Sequence, residues 1–210
     1  MKQSIIVAGI GTDVGKTVVS AILVYMLGAK YWKPIGTGEK KDREVLQELL
    51  EDKQFFYREA YHFSAPCSPH EAARQENIVP KMEEVEIPAP SQQVVIESAG
   101  GILVPFNHQF LTIDLFAPWK CSWIVVSKNY LGSINHTLLS IEALKSRDLP
   151  ILGIIFNGEE SPSSEEYIQD YTQLPVLGRM RQEKTITRET IRRYSKLWLE
   201  NPVWQNLMAR

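Results

Sequence analysis

The sequence contains few of the residues that build disulfide frameworks and metal centres. Its 210 residues include two cysteines, Cys67 and Cys121, and four histidines. The cysteines lie far apart in the chain, and neither residue type recurs at the spacing of metal ligands. We therefore expect two reduced, partly buried thiols, and neither a disulfide scaffold nor a zinc site.

Long apolar runs and an excess of basic charge are also missing. No stretch reaches the roughly 18 apolar residues of a membrane-spanning helix, and the chain does not begin with a charged-then-apolar signal segment. Twenty-three lysines and arginines stand against 25 acidic residues, for a formal net charge of −2, so the composition indicates no basic face for nucleic acid. We expect a soluble, cytoplasmic protein that binds neither membrane nor nucleic acid.

Apolar strand patterns alternate with helical patterns along the chain. We predict strands at residues 3–8, in the first half of 30–38, and at 94–97, 122–127, 151–156 and 175–178. Predicted helices lie at 16–27, 42–52, 112–117, 133–146, 163–171 and 187–199, with a helix start at 68–71, an extended piece at 61–63 and a last turn or two over 203–208. Ser133 is the expected cap of its helix, and Gly36 and Gly38 predict a loop.

The strands are nearly continuous apolar runs, which is typical of a sheet covered on both faces. No internal repeat, low-complexity tract or clear linker divides the chain. These patterns predict an α/β fold with a doubly wound, mostly parallel sheet and helices on both faces, in a single domain over residues 1–210.

A glycine-rich turn joins the first predicted strand to the first helix. Residues 5–17 run from an apolar stretch through Gly9, Gly11 and Gly15 into Lys16-Thr17. In a phosphate-binding loop the backbone amides surround phosphate oxygens, the lysine reaches the β- and γ-phosphates, and the hydroxyl reaches Mg²⁺. The usual spacing places glycine where Ile10 stands, so a variant of this loop fits better than the common form. The alternative is a plain glycine turn with an exposed lysine; the order strand, loop and helix favours a P-loop nucleotide-binding fold.

Polar residues follow the predicted strands at the same edge of the sheet. They are Thr12, Lys16 and Thr17, then Lys33 and Thr37, then Asp42, Glu97 and Asn157. Two carboxylates and a hydroxyl suit Mg²⁺, and two lysines suit phosphate and a developing anion. Each has a structural alternative: a solvated strand-end charge for Glu97, a snorkelling lysine for Lys33, and a favourable helix N-terminal charge for Asp42.

Several motifs together resemble the dethiobiotin synthetase family. The family loop Gly-Thr-Asp-Thr-x-Val-Gly-Lys-Thr corresponds to residues 9–17, and its Tyr-Lys-Pro followed by Ser/Thr-Gly corresponds to residues 32–38. Its Glu-Gly-Ala-Gly-Gly is similar to residues 97–101, its Ser-Pro-His to residues 68–70, and its Leu-Gly-x-Ile-Asn-His to residues 131–136. The resemblance runs in order from residue 3 to about residue 180.

The resemblance implies an ATP- and Mg²⁺-dependent ligase that acts on 7,8-diaminononanoate and CO₂. One amine captures CO₂ as a carbamate, whose oxygen attacks the γ-phosphate of ATP. The resulting carbamic–phosphoric anhydride is attacked by the second amine, which closes a cyclic urea and releases phosphate. Both amines are held near one carbon, so the closure is effectively intramolecular.

The resemblance also implies a role for each matching residue. The catalytic residues would be Lys33, Lys16 and Thr12, and the metal ligands would be Thr17, Asp42 and Glu97. Nucleotide would be bound by Asp13, Val14, Gly15, Lys16, Thr17, Val18 and Asn157. Substrate would be bound by Thr12, Lys33, Thr37 and Gly100, and by Ser133, Ile134 and Asn135, whose helix start receives the tail carboxylate from the partner subunit of a homodimer.

The chain departs from the family pattern at Ile10, at Gly11 in place of the loop aspartate, at Ser98 in place of a glycine, and over residues 179–181 on the purine side. A competing interpretation is a dimeric switch ATPase of the partitioning or positioning group. That group carries a signature lysine where this chain has Gly11. Its amphipathic tail would correspond to Ile191, Tyr194, Leu197 and Trp198 with Arg188, Arg192 and Arg193 nearby, although core packing is the commoner reason for such a stripe. An amidotransferase-type synthetase would need a further glutaminase domain.

Overall fold

A six-stranded parallel sheet forms the centre of the computed structural model, which describes residues 3–50, 56–88 and 92–208. Its strands are β1 (Ile5–Gly9), β2 (Lys30–Trp32), β5 (Val94–Gly101), β6 (Ser122–Lys128), β7 (Ile151–Asn157) and β8 (Val176–Met180). They lie in the order β2-β5-β1-β6-β7-β8, and every neighbouring pair is parallel. The predicted doubly wound parallel sheet is confirmed.

Eight helices surround this sheet in the described part of the chain. They are α1 (Lys16–Leu27), α2 (Asp42–Leu49), α3 (Pro69–Gln75), α4 (Thr112–Phe116), α5 (Ser133–Lys145), α6 (Pro162–Thr172), α7 (Arg188–Leu199) and α8 (Pro202–Met208). Helix α1 packs against α7 and β5, whereas α5 packs against α6 and β6. No helix of residues 3–50, 56–88 or 92–208 is long and apolar enough to cross a membrane.

Strand β1 marks the point where the winding of the sheet changes direction. Its two neighbours are β5 and β6: the chain first forms β2 at one edge and fills in β5 beside β1, and then continues on the other side through β6, β7 and β8. Ligands of open α/β sheets bind at such a switch point, beyond the carboxyl ends of the strands. Here the loop at residues 10–15 leaves β1 and leads directly into α1.

The C-terminal helix α7 closes one side of the core. Ile191, Tyr194 and Trp198 are buried, while Leu197 is half-exposed. The indole of Trp198 lies directly over Gly178 of β8, because a Cβ at that glycine would come within 2.5 Å of Trp198 Cε2. The apolar stripe of this helix is therefore core packing.

Three local differences from the sequence-based expectation concern glycine or strand length. The expected loop at Gly36 is strand β3 (Ile35–Thr37), which pairs in parallel with β4 (Tyr61–Phe63) in a separate two-stranded sheet. The missing side chain at Gly36 leaves room for the His62 ring. Strand β5 continues four residues past Glu97. The N-cap of α5 is Gly132, in a left-handed conformation at φ 98°, and not Ser133.

The predicted helix over 42–52 ends at Leu49, and its last two positions lie outside the described residues. The final strand lies at Val176–Met180, two residues further on at its end than predicted.

Candidate active site

The loop between β1 and α1 has the conformation of a phosphate cradle. Gly15 adopts φ 96°, and Asp13 is left-handed at φ 55°. The Lys16 side chain folds back over the loop, and its Nζ donates to the Gly11 carbonyl at 2.7 Å. Burial, reinforced by the nearby Lys33 charge, lowers the pKa of Lys16 to about 8, although Glu97 opposes the shift. Its ammonium group is therefore poorly solvated and available to an anion.

Ile10 explains why the loop departs from the common glycine spacing. Its side chain is buried in the core, and its backbone N–H donates to the Val126 carbonyl of β6 at 3.1 Å. The residue therefore adds one backbone hydrogen bond to the sheet, and its side chain points into the core. Gly11 next to it is open, because a Cβ there would meet no atom within 4 Å.

Asn157, at the end of β7, contacts the loop backbone. Its Nδ2 donates to the Val14 carbonyl at 2.8 Å, and a Cβ at Gly15 would lie only 2.2 Å from that nitrogen. Lys128, at the end of β6, donates to the Asp13 carbonyl at 3.4 Å. Two strand ends thus hold the loop. Lys128 was not among the predicted site residues, although its position at the end of a strand is the signal that could have indicated it.

Three side chains predicted as metal ligands meet Lys33 beside the loop. Thr17 Oγ1 lies 2.7 Å from Asp42 Oδ1 and 3.0 Å from Glu97 Oε1. Lys33 Nζ donates to Asp42 Oδ2 and, at 3.1 Å, to Glu97 Oε1. Asp42 is the first residue of α2, and Glu97 lies within β5 and is 1% exposed. The structural alternatives for these residues, a solvated charge and a snorkelling lysine, do not describe the observed cluster.

The charges of this cluster stabilise one another. Burial alone would lower the pKa of Lys33, but the carboxylates of Glu97 and Asp42 outweigh it and raise the pKa. Burial would likewise raise the pKa of Asp42, but Lys33 outweighs it and holds the pKa below its usual range. Lys33 stays positive and Asp42 negative at neutral pH.

The donor set suits a hard divalent cation. The Thr17 hydroxyl contacts both carboxylates, and the Lys33 ammonium group beside them shows that this cluster stabilises positive charge. Within the described ranges, no group of three or more histidine, cysteine, aspartate or glutamate side chains is placed to hold a metal. A divalent cation bound here would take its remaining ligands from water or substrate oxygens.

A cavity of about 750 Å³ lies over the loop and the cluster. The predicted residues that line it are Thr12, Asp13, Gly15, Lys16, Thr17, Val18, Lys33, Thr37, Asp42, Glu97 and Gly100. Lining residues that were not assigned a role from the sequence are Lys40, Pro66, Cys67, Ser68, Pro69, Ala99 and Val104. Gly100 adopts φ 60° and a Cβ there would lie 2.9 Å from Val104 Cγ2, so glycine is required at this wall.

Five predicted site residues lie outside this cavity. Val14 is buried, and Asn157 faces the loop backbone. Ser133, Ile134 and Asn135 line a different hollow of about 850 Å³ at the start of α5, together with Tyr130 and the fully exposed Leu131. Within one chain, these three residues do not join the cluster.

A P-loop at the switch point of a parallel sheet, with a buried lysine and an oxygen-rich cation position beside it, defines a nucleoside-triphosphate-binding protein. A family model described as an AAA domain matches residues 3–190. The dethiobiotin synthetase BioD of Chlamydia abortus is 44% identical over 198 residues, covering 93% of this chain and 94% of that protein. The Brucella ovis BioD is 44% identical over 183 residues, covering 86% of each chain. The chain belongs to the ATP-dependent dethiobiotin synthetase family of ligases.

Solved structures of more distant proteins share the fold. The MinD protein of Pyrococcus horikoshii, complexed with Mg-ADP, superposes with a TM-score of 0.56 at 18% identity and covers 99% of this chain and 93% of that chain. A ParA family ATPase from Chlorobium tepidum gives a TM-score of 0.56 at 13% identity, with 96% and 94% coverage. At these identities the likeness concerns the P-loop fold alone.

Proposed function

We propose that this protein is a dethiobiotin synthetase that converts 7,8-diaminononanoate, CO₂ and ATP into dethiobiotin, ADP and phosphate, acting as a single domain over residues 1–210. The observation that carries the proposal is the meeting of Lys16, Lys33, Thr17, Asp42 and Glu97 at one cavity wall beside the loop. Two buried lysines suit a reaction that gathers phosphate and carbamate charge at one place.

The reaction begins when one amine of the diamine attacks CO₂ and loses a proton to give a carbamate. A carbamate oxygen then attacks the γ-phosphorus and displaces ADP. The second amine attacks the carbamoyl carbon of the mixed anhydride, loses a proton and expels phosphate, and a five-membered cyclic urea closes. The anhydride supplies a good leaving group, and the tethered amine makes the closure effectively intramolecular.

Each side chain of the cavity has a proposed role in this sequence. Lys16 and the loop amides hold the nucleotide phosphates, and Asn157, which lies outside the cavity and contacts the loop backbone, is assigned to the nucleotide as well. Lys33 faces the carbamate and the γ-phosphate, where its raised pKa keeps it charged. Thr12, Thr37 and Gly100 contact the diamine or the carbamate from the cavity wall.

Thr17, Asp42 and Glu97 are the proposed ligands of Mg²⁺. The ion would neutralise phosphate charge and orient the triphosphate. Asp42 Oδ2 and Glu97 Oε1 also accept from Lys33, so Lys33 lies directly beside two of the proposed metal ligands.

The start of α5 is proposed to bind the tail carboxylate of the diamine in a homodimer. Helix N-termini bind anions through backbone amides, and Ser133, Ile134 and Asn135 form the first turn of a 13-residue helix, in which the Ser133 N–H already donates to the Tyr130 carbonyl at 2.9 Å. Because they lie away from the cavity of their own chain, we assign them to the cavity of a partner subunit. The exposed Leu131 and Tyr130 beside them offer apolar surface for that contact.

The direct test is to incubate the protein with ATP, Mg²⁺, bicarbonate and 7,8-diaminononanoate and to detect the cyclic urea by mass spectrometry. We expect product and phosphate in equal amounts, and neither when the diamine or bicarbonate is omitted. Phosphate release that requires DNA or lipid vesicles and never responds to the diamine would instead support the switch ATPase and remove the synthetase assignment.

A further inference from the structure

Tyr31 is a buried residue beside the cavity that the proposed reaction does not use. It is fully buried in β2, and its hydroxyl donates to Glu97 Oε2 at 2.9 Å. The strand register pairs Tyr31 with Val95, so Tyr31 and Glu97 are diagonal neighbours on one face of the sheet. The contact joins an edge strand to the strand that carries a proposed metal ligand.

The two oxygens of Glu97 have different partners. Oε2 accepts from Tyr31, whereas Oε1 accepts from Thr17 at 3.0 Å and from Lys33 at 3.1 Å. A carboxylate as deeply buried as this one needs donors, because an unpaired buried charge is costly. The tyrosine hydroxyl therefore fixes the orientation of the Glu97 carboxylate, with one oxygen toward Tyr31 and the other toward Thr17 and Lys33.

The tyrosine is itself held firmly from two sides. Its ring meets Phe56 edge-on, with centroids 6.1 Å apart and planes at 66°. Its backbone carbonyl accepts from the Tyr57 N–H at 3.0 Å, and it lies within the ladder between β2 and β5. The hydroxyl consequently has one position relative to Glu97.

We propose that Tyr31 is a positioning residue for the metal site: its hydroxyl holds Glu97 Oε2 so that Oε1 is presented, with Thr17 and Asp42, to the divalent cation. This inference rests on the proposed function, which assigns the cation to those three residues. Groups that orient a metal ligand typically contribute about 10- to 100-fold to metal affinity. Tyr31 acts through Glu97 and touches neither substrate nor phosphate.

The test compares the wild-type protein with Tyr31→Phe, which removes the hydroxyl and keeps the ring against Phe56. The dissociation constant of ADP is measured by calorimetry in EDTA and in excess Mn²⁺. The value in EDTA divided by the value in Mn²⁺ gives the factor by which the metal strengthens ADP binding. We expect Tyr31→Phe to lower this ratio about 10-fold or more, with ADP affinity in EDTA unchanged. The matched control is Tyr194→Phe, which removes a buried tyrosine's bond to the Glu183 carboxylate away from the cavity and should keep the wild-type ratio.

Three outcomes would overturn the inference. One is a wild-type ratio in Tyr31→Phe. Another is an equal loss of affinity with and without metal, which is the mark of a purely structural role. The third is a further loss of the metal contribution when Tyr31→Phe is added to Glu97→Gln, since a residue that acts through Glu97 has no effect once that carboxylate is gone.

Failure to fold would also be informative. If Tyr31→Phe does not fold because Glu97 Oε2 is left without a donor, the double variant Tyr31→Phe/Glu97→Gln should recover folded protein; no recovery contradicts the inference. If Mn²⁺ does not change the ADP affinity of the wild-type protein, the proposed metal site itself is contradicted. That result differs from a metal-dependent wild type with an unaffected Tyr31→Phe, which would remove only the role of Tyr31.

Discussion

Lys33 is the residue on which the proposed chemistry depends most. Its ammonium group is held between Asp42 and Glu97, while the nucleotide loop has its own lysine in Lys16. Phosphate binding and carbamate activation are therefore divided between two side chains, and a substitution of Lys33 should affect turnover more than nucleotide binding.

We predict that Lys33→Ala abolishes cyclic urea formation and leaves ADP bound with an affinity within about 10-fold of wild type, a change of roughly 1.4 kcal/mol or less. Product is measured by mass spectrometry and binding by calorimetry. Lys81→Ala, which removes a lysine from a surface ion pair with Glu84, is the control and should match wild type. Turnover at the wild-type rate in Lys33→Ala would exclude the residue from the mechanism.

The two cysteines differ in access and should differ in reactivity. Cys121 is 2% exposed, and burial raises the pKa of its thiol to about 11, so little thiolate forms at neutral pH. Cys67 is a free thiol in the wall of the cavity. We predict that iodoacetamide at pH 7.5 modifies Cys67, that Cys121 stays unmodified until the protein unfolds, and that ATP with the diamine slows the modification of Cys67. Peptide mass mapping measures the extent of modification at each cysteine. Equal labelling of the two would contradict the prediction that Cys67 is accessible at the cavity wall and Cys121 is not.

The sequence predicted the charged residues of the site better than their partners. Lys33, Asp42 and Glu97 could be found because they are charged residues beside recognisable apolar strand or helix patterns: Lys33 follows β2, Asp42 begins α2, and Glu97 comes directly after the apolar run of β5. Tyr31 was missed because it looks like an ordinary apolar strand residue, and its role depends on a diagonal contact between two strands that lie 66 positions apart in the chain. Strand order is a property of the whole sheet and cannot be read from a local pattern.

At the scale of the element, glycines decide where helices and strands come close together. Gly178 of β8 admits the Trp198 indole of α7, and Gly36 of β3 admits the ring of His62. Gly36 was predicted to lie in a loop, because the sequence alone does not distinguish a glycine that permits a turn from one that permits a close contact. Of the two-stranded sheet, the sequence therefore predicted β4, as the extended piece at 61–63, but not β3.

We predict that Gly178→Ala lowers the free energy of unfolding by about 1–3 kcal/mol, because its Cβ would overlap the Trp198 ring in a packed core. Gly11→Ala is the matched control, since the new Cβ meets nothing within 4 Å and stability should change by less than about 0.5 kcal/mol. Urea unfolding followed by tryptophan fluorescence measures both. Equal stability of the two variants would show that Trp198 can move away from β8 at little cost.

At the scale of the whole molecule, the proposed site is divided between two places on the chain. The cavity holds Lys33 and the loop, whereas the helix start at Ser133, Ile134 and Asn135 lines another hollow. If a partner subunit supplies the helix start, each active site combines the lysine of one chain with the α5 helix of the other. Two differently inactivated chains should then complement each other.

The complementation test mixes Lys33→Ala with Asn135→Asp, whose added carboxylate repels the substrate tail from an exposed position in the first turn of α5. In a mixed dimer, one site carries both substitutions and the other carries neither. Random exchange of subunits should therefore restore about one active site in four, measured as cyclic urea formed at diamine concentrations below KM. Light scattering must show a dimer throughout. No activity above that of the separate variants, in a sample shown to have exchanged subunits, would mean that each chain completes its own site.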